Sequence, residues 1–193
     1  ISTGAVLENG SILEEVRNGS GARVYGSNFE IGVSPDDRWQ FQLGGTLQRS
    51  EYEEAQLLFE SDGTPGESDI LLEEFVRVPD LYGYLNAAWI PGERFNLDLT
   101  GTYTGQMTVP LVVSETGFMQ LNEVDPFFDL NLKMEVHVDF SEDFMATFTA
   151  GVKNIFNSYQ DDFESGPERD SNYIYGPALP RTYFLGVKFG KLH

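Results

Sequence analysis

Apolar and polar positions alternate along most of this chain with a period of two. Over residues 95–109 (FNLDLTGTYTGQMTV) every even-numbered residue is polar and every odd-numbered one is apolar or glycine, which predicts one strand of fifteen residues. Residues 128–140 (FDLNLKMEVHVDF) are nearly as strict, with Phe128, Leu130, Leu132, Met134, Val136, Val138 and Phe140 on one side. Asp129, Asn131, Lys133, Glu135, His137 and Asp139 fall on the other. Trp39, Phe41, Leu43 and Leu47 share a face, as do Tyr183, Leu185, Val187 and Phe189. Residues 22–33, 81–90 and 144–156 read as further strands with looser phase, and 11–17 as a continuation of the first or a separate partner. The pattern predicts seven or eight strands and no convincing helix. Residues 51–58 have room for one helical turn before Gly63, Pro65 and Gly66 break it.

The connections sharpen this picture. SPDDR (34–38), IPGER (90–94) and SED (141–143) are short, whereas 57–80, 110–125 and 158–180 are long. Short and long alternate strictly. In an up-and-down barrel every short turn then lies at one end and every long loop at the other, the asymmetry of an outer-membrane barrel. Trp39, Phe41, Trp89, Phe95, Phe140, Phe144 and Phe189 gather at the short-turn end, as an interfacial aromatic girdle would. Tyr103, Phe128, Phe156 and Tyr183 are candidates for the opposite girdle.

Alternation alone does not say which face meets water, because a soluble barrel or sandwich alternates too. Strand length does discriminate. Fifteen residues at about 3.3 Å each reach about 50 Å, or about 35 Å when tilted by about 45°, which exceeds the roughly 25 Å apolar band of membrane barrels. Soluble strands usually run about 5–6 residues. The expected fold class is therefore all-β, an antiparallel up-and-down transmembrane β-barrel. Its apolar face meets outer-membrane lipid, and its polar face lines a hydrated or plugged lumen. Two alternatives stand beside it: a complete eight-stranded outer-membrane barrel acting as an adhesin or anchor, and a soluble ligand-binding β-domain. An odd strand count or an unclosed sheet would argue against the first, and an uncovered apolar face against the second.

Composition narrows function. The chain has 193 residues, no cysteine and a net charge of −19, which excludes disulfides, thiol chemistry and a basic nucleic-acid surface. No apolar run approaches the roughly 20 residues of a membrane-spanning helix. The first residues, ISTGAVLENG, lack the basic and apolar regions of a signal peptide. The acid is concentrated: residues 51–80 hold ten acidic residues against Arg77, and 158–180 hold five against Arg169. Solvated loops explain much of this. Asp161, Asp162, Glu164, Glu168 and Asp170 also offer the oxygen ligands that suit Ca²⁺, and no other cofactor is implied. His137 and His193 do not make a metal motif, and no triad, phosphate loop or singular carboxylate pair stands out, so no enzyme is expected. Asp129, Lys133, Glu135 and His137 are expected to pair with neighbouring strands or a plug rather than to act directly in transport.

The last third carries a resemblance. GVKNIFNSYQDDF (151–163) is similar to the G-x-x-N-L-F-N-x-x-Y phrase that closes the penultimate strand of TonB-dependent outer-membrane receptors, with Ile155 at the usual Leu. Tyr175, Pro180, Arg181, Tyr183 and Gly186 match the Y-x-x-P-x-P-R-x-Y-x-x-G approach to the final strand, with Pro177 one place before the family's first proline. GARVYGSNFE and the hairpin around IPGER resemble earlier strands of the family, so the likeness covers about residues 20–190. The wording is closest to Bacteroidetes-type siderophore or cobalamin receptors. The resemblance implies a fragment of about seven or eight strands from a 22-stranded barrel. Residues 1–193 would be its C-terminal portion, without the plug or the TonB-binding segment. It also implies transport of a scarce metal chelate across the bacterial outer membrane, with the plug, TonB and a surface lipoprotein as candidate partners. Aromatics of the long loops, Phe118, Tyr159, Phe163, Tyr173 and Tyr175, become candidate ligand contacts, although Tyr173 and Tyr175 also read as packing for the loop base. The loop acids Asp161, Asp162, Glu164 and Asp170 become candidate cation ligands. Phe189 stands for the family's terminal aromatic, although GKLH follows in place of an end.

Overall fold

A computed structural model describes residues 5–6, 12–13, 21–61, 63–141 and 144–190. Its elements are β1 (Ala5–Val6), β2 (Ile12–Leu13), β3 (Ala22–Asp36), β4 (Trp39–Tyr52), β5 (Gln56–Phe59), β6 (Ile70–Leu72) and β7 (Leu81–Gly92). They continue as β8 (Phe95–Thr104), β9 (Met107–Val112), β10 (Met119–Val124), β11 (Phe127–Ser141), β12 (Phe144–Lys153) and β13 (Thr182–Gly190). Seven of them form one antiparallel sheet in the order β13-β12-β11-β8-β7-β4-β3, an up-and-down meander in which each strand neighbours the next long strand in sequence. The long strands β3, β4 and β11 run to 15, 14 and 15 residues. The sheet is open, with β3 and β13 as its edges, so among the described residues neither the count nor the closure of an eight-stranded barrel is met. The two-residue pair β1·β2, the hairpin β5·β6 and the hairpin β9·β10 stand apart from it.

Register puts the alternating residues where the pattern places them. One cross-strand row runs Val33, Phe41, Ala87, Leu99, Leu132, Val152 and Tyr183. The row one residue along runs Gly32, Gln42, Asn86, Thr100 and Asn131. The apolar face carries no second layer among the described residues: Ile31, Leu43 and Leu185 are 56%, 47% and 88% exposed. A soluble sheet would bury these side chains at about 1.5–3 kcal/mol each, so the face requires a hydrocarbon solvent. The polar face is concave and frames a cavity of about 860 Å³ that includes Gln40, Asn86, Asp98, Asn131 and Lys133.

The girdle at the short-turn end forms two groups of rings. Trp39 stacks on Phe41 at 5.5 Å and on Trp89 at 5.7 Å, Trp89 meets Phe95 edge-on at 5.5 Å, and Phe144 lies 5.9 Å from both Phe140 and Phe189. At the other end Phe128 stacks on Phe156 at 5.7 Å. Phe128 and Phe140 lie on β11 about 40 Å apart along the strand, or about 28 Å at a 45° tilt, close to the thickness of the apolar band.

Glycines on this wall make room for rings. Tyr84 lies across Gly44, where an added Cβ would come within 2.5 Å of Tyr84 Cε1, and so reaches Glu30 on the strand beyond at 2.7 Å. Gln42 Nε2 donates to Glu30 Oε1 at 3.1 Å, and Asn86 Nδ2 donates to Gln42 Oε1 at 3.0 Å. Three of the four lumenal groups find wall partners: Lys133 meets Asp98 at 3.1 Å and Glu135 at 3.6 Å, and His137 Nδ1 lies 2.9 Å from Thr147 Oγ1, whereas Asp129 Oδ1 has no hydrogen-bond partner among the described residues.

Several boundaries differ from the pattern. The alternation over 95–109 is two strands, not one. Gly105 passes so close to the Leu81 carbonyl that an added Cβ would lie 2.5 Å from it, and its amide donates there at 2.8 Å. Beyond that point β9 leaves the wall and pairs with β10, so the loop expected over 110–125 is largely a hairpin. Strand β12 ends at Lys153 rather than at Phe156, because Asn154 adopts φ 52°. The helical turn allowed over 51–58 is absent, and its second half is β5. Of 11–17, Ile12–Leu13 pairs with β1 and the remainder lies outside the described residues. Residues 142–143 of the SED turn and the 191–193 tail also lie outside them.

Candidate functional site

At the end opposite the Trp girdle, three connections pack into one body. The centre is apolar: Met107, Val109 and Leu111 from β9, Val124 from β10 and Tyr173 from the third long loop are all buried. Val109 is fully inaccessible. The odd-numbered face that continues the lipid phase of β8 thus covers a loop core instead.

The third loop is organised by amides. Asn154 is 4% exposed; its Nδ2 donates to the carbonyls of Ser158 and Leu179, both at 3.1 Å, and its Oδ1 accepts from Ser158 N at 2.8 Å. Its own backbone N donates to Asn131 Oδ1 on β11 at 3.0 Å, which ties the loop to the wall. Asn157, at φ 57°, accepts from Arg181 N at 2.9 Å. Gln160 is 1% exposed, donates to Tyr173 O at 3.1 Å and accepts from Tyr175 N at 3.0 Å. Arg77, at φ 61°, joins all three connections: its N donates to Thr108 O at 2.8 Å and its Nη1 to Ile174 O at 3.3 Å.

The candidates from sequence fall into two groups. Tyr159, Tyr173, Tyr175, Asp161 and Asp162 come together around a cavity of about 600 Å³, joined by Glu123 and Asp125 from the β10–β11 side. Tyr175 packs against Phe127, whose phase on β11 is that of lumenal Asp129, so the cavity sits over the mouth of the polar concavity. Tyr173 also serves the loop base: it is 4% exposed, accepts from Asn122 Nδ2 at 3.2 Å and donates to Asp162 Oδ2 at 3.1 Å. Burial first, with the Asp162 carboxylate adding to it, pushes the Tyr173 and Tyr175 phenols upward, so both stay protonated and neutral.

Phe118, Phe163, Glu164 and Asp170 lie elsewhere. Phe118 is half-buried near the β9–β10 tip, over Gly66 of the first loop. Phe163 is 44% exposed and does not line the cavity. Glu164 accepts from Asp170 N at 2.9 Å and Ser114 N at 3.2 Å, and these two amides hold its carboxyl below the usual range. Asp170 accepts from Val112 N at 3.0 Å and Asn172 N at 2.8 Å. Two of the four cation candidates are thus engaged with backbone amides, and among the described residues no group of three or more His, Asp or Glu converges as a metal shell. Glu168 is exposed in the same loop. Gln160, Asn122 and the linking role of Arg77 escape a sequence reading, because nothing in their local pattern marks them.

An open antiparallel meander with an apolar outer face, a polar inner face and structured loops at one end is a segment of a large outer-membrane barrel wall. Comparison with known proteins gives no match to a family model and none to a curated protein. Solved structures do match. The chain superposes on the closed form of the ferric-catecholate import receptor Fiu from E. coli K12 with a TM-score of 0.60 at 18% identity, over 96% of this chain and 23% of that one. It superposes on the FpvAI–pyocin S2 complex with a TM-score of 0.58 at 13% identity, over 89% of this chain and 19% of that one. At these identities the likeness is one of fold, that of TonB-dependent receptor barrels, and the chain spans about a fifth to a quarter of the chains it matches.

Proposed function

We propose that this chain is the C-terminal part of the barrel wall of a TonB-dependent outer-membrane receptor that imports a scarce metal chelate of the ferric-siderophore or cobalamin kind. The observation that carries the reading is the inverted sheet: a bare apolar face, a polar concave face, and loops built into one body at a single end. The wall anchors the receptor in lipid. Its lumenal side chains face the plug. The loop body, with the cavity at Tyr159, Tyr173 and Tyr175, meets the cargo from outside.

The test is binding by the full-length protein in detergent, titrated with ferric siderophores, haem and cobalamin. Saturable binding of one of them, lost when residues 154–181 are shortened, is expected. Failure to bind any of them, together with closure of these 193 residues alone into a barrel, would overturn the importer reading.

A further inference from the structure

The β9–β10 hairpin continues the wall pair β8·β11. That ladder ends at Thr104↔Phe127, and the next begins at Met107↔Val124 and runs to Val112↔Met119, all in one register. Only Gly105, Gln106, Asp125 and Pro126 lie between the two, and they belong to neither ladder. The break has a chemical cause. Pro126 has no N–H to donate across it. Gly105 is the last residue that the wall holds, through its amide to the Leu81 carbonyl at 2.8 Å. Gln106, Asp125 and Pro126 are exposed.

The hairpin beyond the break is well tied, and the space at the break is not filled. Its tip is closed by Val113 N donating to Phe118 O at 2.9 Å and Gly117 N donating to Val113 O at 2.7 Å, with Gly117 at φ 74°. A two-stranded hairpin alone is marginal in water, but this one grows in register from a ladder that the wall holds. Two cavities meet the break. One of about 390 Å³ is bounded by Gln106 and Pro126 and by Phe75 and Val78 of the first loop. The other is the cavity of about 600 Å³ beside Tyr173, which Val124, Asp125 and Pro126 also line. Close packing is what pins an element in a core, and it is missing beside Gln106, Asp125 and Pro126.

The third loop holds the hairpin in place. Val112 N donates to Asp170 Oδ2 at 3.0 Å, Ser114 N to Glu164 Oε1 at 3.2 Å and Asn122 Nδ2 to Tyr173 Oη at 3.2 Å, while Tyr173 packs with Met107, Val109 and Leu111. The first loop adds Arg77 N to Thr108 O, close to the break. We propose that residues 107–124 are a rigid arm hinged at Gly105–Gln106 and Asp125–Pro126, and that the third loop is the strap that holds it down. Drawing the third loop away then frees the arm as one piece. This stands on register and packing and not on the identity of any cargo. With six residue pairs the arm is about 20 Å long, so a swing of about 15° moves its tip by about 5 Å.

The test is a spin-label distance in the full-length protein in detergent. One label is placed by Glu93→Cys in an exposed wall turn and the other by Glu115→Cys at the exposed arm tip. Residues 1–193 hold no cysteine to compete, and any cysteine outside them is replaced by serine. The parent protein should give one narrow distance. Glu164→Ala/Asp170→Ala, which cuts the strap at Ser114 N and Val112 N, should add a population displaced by about 5 Å or more. Adding Tyr173→Phe should enlarge that population. Hydrogen exchange over 119–124, the strand the two carboxylates do not touch, should stay within about threefold of the parent. Glu168→Gln, an exposed change in the same loop, should leave the single distance. Should the double variant fail to assemble, Asp170→Ala alone gives the same readout at smaller amplitude. An unchanged distance in the strap variants, the same displacement in Glu168→Gln, or displacement with exchange over 119–124 faster by more than about tenfold, which is melting and not a swing, would overturn the proposal.

Discussion

Asn154→Ala should loosen the third loop without unseating the wall. The side chain makes three hydrogen bonds in a site that is 4% exposed, to Ser158 O, Leu179 O and Ser158 N. Each is worth about 1 kcal/mol net. Alanine must also hold φ 52°, at a further cost of about 1 kcal/mol. The sum is about 4 kcal/mol, roughly a thousandfold in a local opening equilibrium. Hydrogen exchange of the loop amides in the full-length protein reads this directly, because Ser158 N, Gln160 N and Tyr175 N all donate within the bracket that Asn154 anchors. Asn154→Gly loses the same three bonds but tolerates the backbone, so it should be about 1 kcal/mol milder. Exchange over residues 154–181 within about threefold of wild type in the alanine variant would refute the claim that this side chain holds the loop.

Three further outcomes test other parts of the structure. Gly44→Val should push Tyr84 off its path, break the 2.7 Å contact with Glu30 and lower the yield of folded barrel, read as heat-modifiable mobility on a gel. Leu99→Arg should cost about 2–4 kcal/mol as a mid-wall lipid-face charge, whereas its neighbour Thr100→Arg, on the lumenal face, should cost far less; equal costs in a lipid-vesicle folding titration would defeat the face assignment. Glu164 has a carboxyl held below the usual range by the Asp170 and Ser114 amides. Its stabilisation is therefore complete above the unfolded value of about 4.3 and is lost as pH falls through the lower folded value. Loop protection relative to the intrinsic exchange rate at each pH should be flat from about pH 6 to 8 and should fall below about pH 4, and Glu164→Gln should remove part of that acid step.

The wall was legible because lipid and lumen impose period two on every strand, and the register then keeps Leu99, Leu132 and Val152 in one row. What period two could not reveal is a change of partner. Met107, Val109 and Leu111 keep the same phase as Leu97 and Leu99, yet they are buried against Tyr173 rather than facing lipid. Alternation records that one face is dry and says nothing of what dries it. The break is set by a backbone contact, Gly105 against the Leu81 carbonyl, between residues far apart in sequence. The loop site was legible in part: the tyrosines and Asp161 and Asp162 were visible as loop residues. Gln160 was not, because its role depends on meeting Tyr173 and Tyr175 across a fold of the loop.

The acid excess then separates into two populations with different consequences. Glu164 and Asp170 accept backbone amides, and Glu51 and Glu74 meet Arg49 at 3.3 and 2.7 Å. Removing these charges removes geometry, because a loop segment loses the partner that fixes its path. Glu123, Asp125 and Asp161 line the cavity without an ion-pair partner among the described residues. Removing those leaves the backbone contacts in place and changes only the local field. Substitution by amides can therefore tell them apart: Glu164→Gln should alter hydrogen exchange over the third loop, whereas Asp161→Asn should leave it within about threefold of wild type.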